Sequence, residues 1–368
     1  MKTILHVLEA TEGGTRRHLR DLVCALDPAE FRCALAVSCL RDPGFATDVA
    51  MYRSREIPVT EVRMVRGISP ARDLCRLLAL IRCVHRTRPD LVHAHSAKAG
   101  FLARLTGAVC GVPVVYTPHV FPFLMECGRL KRAFYARLER IVRPLTAALI
   151  AVSREEESEA LALGYPSERV FRIPNGVAPA AAGQGSGGNK TVGFFGRLVP
   201  QKGPDVLLAA VAKVVTAMPQ VQFVFHGAGD MAEALRTEAE TGGLSAHVRF
   251  AGGYSQADVI GLMRQTDVVA VPSRWEGCPY VVLEAFQAGV PVVASAVGGI
   301  PDLIQDDVNG LHVTPDNPDA LADALVALLR DPQRGRAFAE RGRTCAAEYT
   351  VLAMAQAVAE VYQSALNV

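Results

Sequence analysis

The chain has 368 residues, half of them hydrophobic, with 39 Lys+Arg against 37 Asp+Glu, which excludes a disordered protein and exceeds what one ordinary core accommodates, so two domains are expected. Its nine cysteines are odd in number and never spaced C-x-x-C, which argues against a disulfide frame or a structural zinc site and for a reducing, cytoplasmic setting. Residues 1–180 hold 26 Lys+Arg and 18 Asp+Glu, net +8, leaving 13 and 19, net −6, for residues 181–368.

The opening MKTILHVLEATEGG has a short apolar run broken by His6 and Glu9, and reads as a first strand rather than a signal peptide. No later run approaches the roughly 18 apolar residues of a spanning helix. Apolar runs at Ile4–Leu8, Ala34–Val37, Leu91–His93, Val114–Tyr116 and Ala148–Val152 alternate with longer helical patterns, the signature of a parallel sheet covered by helices. After the first strand, Glu12-Gly13-Gly14-Thr15 leads into a helix with Leu19, Leu22, Val23 and Leu26 on one face. Glycine at such a turn admits a ligand close to the backbone, and the helix N-terminus favours an anion.

His93 and His95 end a strand and point the same way, which would suit a metal, but no third ligand is apparent nearby and no metal is expected. His119, following Pro118, also lies at a strand's carboxyl end, near the expected crevice. Arg129 to Arg143 form an amphipathic helix with Leu130, Phe134, Leu138 and Ile141 on one side and a crowd of Arg and Lys on the other. A solvated face and a seat on anionic lipid both fit that pattern. Nucleic acid is not expected, because no zinc-finger spacing, basic-region heptad or aromatic RNA-reading motif occurs.

Residues 178–190, APAAAGQGSGGNK, read as a linker. The strand pattern restarts at Thr191–Phe195 and Gln222–Phe225, then Val248–Phe250, Val268–Val271 and Val292–Ala294. Two similar α/β domains on a flexible joint put a cleft between them, a favoured place for a ligand. Arg197 follows the first strand of this half and Lys202 comes five residues later at a helix start, positions suited to a diphosphate. Gly227-Ala228-Gly229-Asp230-Met231-Ala232 matches G-x-G-x-x-A. The next strand lacks the acidic residue a dinucleotide needs, so a nicotinamide enzyme is disfavoured. In PSRWEGCPYVVLEAFQAGVPVVASAVGGIPD, Pro272 to Asp302, Glu276 is expected in a loop and Glu284 in a helix beginning near Pro279.

Together EGGTRRHL, HAHSAKAG, TPH, GRLVPQKG, HGAGD and the Pro272–Asp302 stretch resemble the family-four retaining glycosyltransferases of the GT-B fold, over nearly the whole chain. The resemblance implies an α/β protein of two Rossmann-like doubly wound domains facing across a cleft. It places an acceptor-side domain at 1–177, the linker at 178–190, a nucleotide-sugar domain at 191–350, and a C-terminal helix, 351–368, crossing back to the first domain. It implies that Glu284 binds the ribose and that Glu276 with the backbone of Gly277, Cys278, Pro279 and Tyr280 addresses the donor sugar. Arg197 and Lys202 would take the diphosphate, with Gly227 also on the donor and Gly13 and Gly14 closing over it. His119 would stand beside the reacting sugar, and Arg17, His95 and Lys98 on the acceptor side. A retaining hexosyl transfer from a nucleotide diphosphate donor, UDP-sugar before GDP-sugar, to a saccharide or lipid-linked acceptor is therefore expected, in bacterial surface or extracellular polysaccharide synthesis. No cofactor is expected, the nucleotide-sugar being a substrate, and the missing D-x-D fits metal independence. A UDP-sugar 2-epimerase of the same fold and a non-catalytic sugar-nucleotide-binding protein are the alternatives.

Overall fold

The computed structural model describes residues 1–180, 183, 188 and 190–367. It divides into two compact units, one of residues 1–176 with 351–368 and one of residues 177–350. The division falls one residue before the expected 177, and most of the expected linker lies outside the described residues.

The first unit is a seven-stranded sheet of β1 (Lys2–Leu8), β2 (Phe31–Val37), β3 (Val59–Glu61), β4 (Leu91–His95), β5 (Val114–Thr117), β6 (Ala148–Ala151) and β7 (Val170–Arg172). Every pair is parallel, in the order β3-β2-β1-β4-β5-β6-β7. Such a sheet must be covered on both faces, and β1 shows how. Ile4 and Leu8 join a core with Leu19, Leu22, Val358 and Tyr362, whereas Leu5 and Val7 join another with Leu80, Leu102 and Tyr116. The C-terminal helix Val351–Leu366 thus completes the first core and packs against helix Gly13–Ala25 and strands β5 and β6.

The second unit has β8 (Thr191–Phe195), β9 (Gln222–His226), β10 (Val248–Gly252), β11 (Val268–Val271), β12 (Val292–Ser295) and β13 (Leu311–Val313). They are parallel in the order β10-β9-β8-β11-β12-β13. Helices Pro204–Ala217 and Pro318–Arg330 supply Leu207, Val211, Leu321 and Leu325 to its core. In each sheet the strand order reverses once, between β1 and β4 and between β8 and β11, and these reversals open a crevice beyond the strands' carboxyl ends.

Candidate active site

At the second sheet's reversal the loops after β8 and β11 meet. Lys202 ends the one-turn helix Pro200–Lys202, and its Nζ donates to Glu276 Oε1 at 2.5 Å, the oxygen that also accepts from Ser273 Oγ at 2.8 Å. Arg197 Nη2 donates to Gln201 Oε1 at 3.2 Å, and Gln201 Nε2 to the Trp275 carbonyl at 3.2 Å. Arg274 forks onto Asp205 at 3.0 and 2.6 Å. The two cations expected on one diphosphate are thus stitched to the loop that carries Glu276, itself only 5% exposed. A carboxylate that buried is tolerable only with partners, and Lys202 and Ser273 provide them.

Glycines set the distances between these loops. Gly298, at φ +57°, lies where a Cβ would stand 1.8 Å from the Glu276 carbonyl oxygen, and Gly227, at φ +155°, where one would stand 1.8 Å from the Gly196 carbonyl oxygen. Pro279 caps helix Tyr280–Ala288 in an extended conformation, so its missing N–H is one the first turn would leave unpaired. Gly277 lies in the preceding loop, and Cys278 and Tyr280 are buried. Glu284 is buried on the helix face of Tyr280, one turn on, and is the helix's one charged residue.

In the first unit Gly13, at φ +59°, and Gly14 open helix Gly13–Ala25 directly after the β1 loop. Glu9 and Glu12 of that loop hold Arg41, at 2.8 to 2.9 Å and 3.1 Å. The three residues expected on the acceptor side each have partners of their own. Arg17 donates to Asp21 at 3.3 Å, Lys98 is nearly buried against Asp73 at 2.7 Å, and His95 joins a cluster of histidines.

That cluster is the main departure from the sequence reading. Parallel register sets His6 of β1 opposite His93 of β4, and His95 follows two residues later. His6 Nδ1 lies 3.2 Å from His95 Nε2, His95 Nδ1 lies 3.4 Å from His119 Nε2, and His18 donates through Nδ1 to Asn175 Oδ1 at 2.9 Å. His93 is held at both nitrogens, by the Tyr362 hydroxyl at 2.6 Å and Thr117 Oγ1 at 2.8 Å. The expectation of no third nitrogen near His93 and His95 is therefore corrected: His6-His93-His95 and His18-His95-His119 each place three ring nitrogens within 4.8 Å of one another. Desolvation keeps these rings neutral, lowering His6 to about 3 and His18 to about 4 and holding His93, His95 and His119 well below the usual 6.5.

His119 and Val120 both have positive φ, 52° and 84°, a strained state for a β-branched residue. The Val120 N–H donates to buried Glu156, whose other oxygen accepts from Val152 N–H at 2.8 Å. Glu156 sits three residues after Ser153, which caps helix Arg154–Ala162. The S-x-x-E spacing was the available signal for this residue, whereas nothing in the sequence joined it to His119.

Helix Arg129–Val142 turns Tyr135, Ala136, Glu139 and Val142 inward, leaving Leu130, Phe134 and Ile141 exposed among Arg129, Lys131, Arg132, Arg137 and Arg140. Among the described residues no helix is long and apolar enough to cross a membrane.

Residues 13–176 match the profile of the glycosyl transferase 4-like domain, and residues 181–344 that of glycosyl transferases group 1. The chain is 30% identical over 287 residues, 73% of each sequence, to the UDP-Gal:alpha-D-GlcNAc-diphosphoundecaprenol alpha-1,3-galactosyltransferase of Escherichia coli. It is 33% identical over 290 residues, 75% of this chain and 73% of the relative, to the phosphatidyl-myo-inositol mannosyltransferase of Mycobacterium leprae. Among solved structures, Anabaena HepE in complex with UDP and glucose superposes with a TM-score of 0.82 over 99% of this chain and 100% of that one, at 24% identity, a likeness of fold.

Proposed function

The chain belongs to the family-four glycosyltransferases of the GT-B fold, and from that membership we propose that it is a retaining, metal-independent hexosyltransferase that takes its sugar from a UDP-sugar and works in bacterial surface polysaccharide synthesis. Transfer from a nucleotide-sugar donor is the family's activity. The observation that carries the finer reading is the Lys202–Glu276–Ser273 contact at the carboxyl edge of the second sheet, with Arg197 in the same pair of loops. The bond to the leaving diphosphate breaks with growing negative charge, so fixed cations there stabilise the transition state more than the bound donor. Arg197 and Lys202 take that charge, Glu276 and the Gly277–Tyr280 backbone hold the sugar, Gly227 lies with the donor, and Glu284 takes the ribose hydroxyls. The reading leaves the acceptor's proton to the departing phosphate oxygen on the same face, with no cofactor. His119 beside the reacting sugar and the backbone of Gly13 and Gly14 are the first unit's share of this reading.

A screen of nucleotide sugars by thermal shift, followed by calorimetry, tests it. A UDP-sugar should raise the melting temperature, and Glu284→Ala should weaken its binding at least about tenfold, a loss of about 1.4 kcal/mol. Unchanged affinity in that variant would remove the ribose assignment. Incubation with donor alone separates the alternatives, since a 2-epimerase alters the sugar without an acceptor.

A lipid-linked acceptor at an anionic surface is supported by the exposed Leu130, Phe134 and Ile141 set among cations, the pattern of a helix lying in an interface. The names of the E. coli and M. leprae relatives include an undecaprenol diphosphate and a phosphatidylinositol. Flotation with vesicles containing phosphatidylglycerol should retain the protein at low salt and release it at high salt; no flotation of the native chain at low salt removes this part of the reading.

A further inference from the structure

We infer that Glu156 is a positioning residue for the transfer reaction: by accepting the N–H groups of Val120 and Val152 together, it holds the strained turn after β5 in the shape that aims the His119 ring. The inference rests on the reading that His119 stands beside the reacting sugar. His119 and Val120 are consecutive non-glycine residues with positive φ, 52° and 84°, and such a pair persists only where its surroundings over-determine it. The chain is fixed on both sides of the pair. Upstream, the Thr117 carbonyl accepts from the Ser96 N–H at 3.0 Å, and Thr117 Oγ1 lies 2.8 Å from His93 Nε2. Downstream, Phe121 is fully buried and stacks on Phe123 with 5.0 Å between ring centres. With both flanks held, the backbone angles at 119 and 120 decide where the His119 Cβ points, and relaxation to the commoner right-handed angles swings the ring away.

The ring's own contacts are too weak to prevent that. His95 Nδ1 lies 3.4 Å from His119 Nε2, beyond the usual length of such a bond, and His18 meets the ring edge-on with 4.5 Å between centres. Glu156 supplies the missing hold from a different element. It stands in the first turn of helix Arg154–Ala162, where its own N–H donates to Ser153 Oγ at 3.2 Å. One carboxylate oxygen takes the Val120 N–H and the other the Val152 N–H at 2.8 Å, which ties the turn to the residue that follows β6. The side chain is 1% exposed, and among the described residues no Lys or Arg pairs with it. A buried carboxylate without a counter-ion weakens a fold, so packing does not account for its presence. Holding two N–H groups at once does, because a carboxylate has an acceptor at each end, whereas an amide of the same shape has one.

The test uses the full chain at pH 8, above the value of about 7 to which burial raises Glu156, and reads turnover as release of UDP to water from UDP-glucose or UDP-galactose. Glu156→Gln removes one of the two acceptors and keeps the shape. It should lower kcat by up to about 100-fold, the cost of a displacement of about 1 Å at a reacting group, and leave the calorimetric affinity for UDP unchanged. In a His119→Ala background the same change should cost nothing further, because residues that act through one another are not additive. In a chain labelled with 15N-histidine, the ring signal lost in His119→Ala should move in Glu156→Gln, while that of exposed His85 stays in place. Undiminished kcat in Glu156→Gln beside a loss in His119→Ala would overturn the inference and leave the reading of His119 standing. Undiminished kcat in His119→Ala would remove that reading and the inference with it. Equal losses for Glu156→Gln in both backgrounds would overturn the inference by showing that Glu156 serves the fold at large. Should neither sugar be turned over, the His119 signal in Glu156→Gln decides, an unmoved signal overturning the inference. Should Glu156→Gln not fold, Ser153→Ala, which loosens the turn carrying Glu156, gives the same comparison with a smaller loss.

Discussion

Glu156 is a carboxyl group whose job is to hold backbone. It accepts the N–H of Val120, beside His119, and that of Val152, and it is 1% exposed. Desolvation outweighs these two bonds and raises it to about 7 from the usual 4.5. A folded-state value above the unfolded one means that the folded chain binds more protons between those limits. Its contribution to stability is therefore full below about pH 4.5 and is lost as pH rises through about 7. The buried histidines act in the opposite sense, their depressed values making folding more favourable as pH rises towards 6.5. A bare pH profile mixes the two, and a difference between native chain and variant isolates Glu156. Measured by denaturant unfolding, the advantage of the native chain over Glu156→Gln should shrink by on the order of 3 kcal/mol between pH 5 and pH 8. A constant difference across that range would show that Glu156 stays ionised in the fold.

A buried ion pair anchors helix Arg129–Val142 beside its inward Tyr135, Ala136 and Val142. Arg104 donates to both carboxylate oxygens of Glu139, to the Gly100 carbonyl at 2.9 Å and to the Tyr165 hydroxyl at 2.8 Å, and its guanidinium lies 4.2 Å from the centre of the Tyr116 ring. Removing one partner strands the other charge in an apolar setting, whereas replacing both with apolar groups does not. Arg104→Met should cost about 3–5 kcal/mol by denaturant unfolding, and Arg104→Met with Glu139→Leu should recover most of it. Equal losses in the single and double variants would mean the pair itself, rather than the stranded carboxylate, supplies the stability. The sequence reading placed this helix and its cations but not its inward face, because Glu139 is polar and Leu130, Phe134 and Ile141, the side chains a periodicity argument turns inward, lie outside. Strands were legible where apolar runs were long, as at Thr191–Phe195 and Val268–Val271. The missed strands β3, β7 and β13 are three-residue edges that mix in Glu61, Arg172 and His312, since an edge need bury little. The positions of the loop glutamate and of the two cations were readable because each falls in a short contiguous run, Pro272–Asp302 and Gly196–Gly203, at the end of a clear strand. The histidines were not, since only the β1–β4 register and the turn after β5 bring positions 6, 18, 95 and 119 together.

The chain as a whole is not folded in the order in which it is written. Its last helix, Val351–Leu366, belongs to the first unit, where Met354, Ala355, Val358, Val361, Tyr362 and Ala365 are buried and Tyr362 also holds His93. Those six side chains bury on the order of 10 kcal/mol of apolar stabilisation, comparable with the whole net stability of an ordinary domain, about 5–15 kcal/mol. Residues 1–176 alone should therefore lack cooperative unfolding and slow amide exchange. Adding a peptide of residues 351–368 in trans should restore both in proportion to its concentration, because a group that binds only the folded state stabilises it by mass action. Residues 177–350 carry their own core and close their own ends through the Val177–Thr350 bridge, so the same truncation should leave that unit folded. Hydrogen exchange on the chain ended at residue 350 checks both halves at once: fast exchange confined to residues 1–176 is the expected result, and slow exchange there would show that the first sheet needs no returning helix.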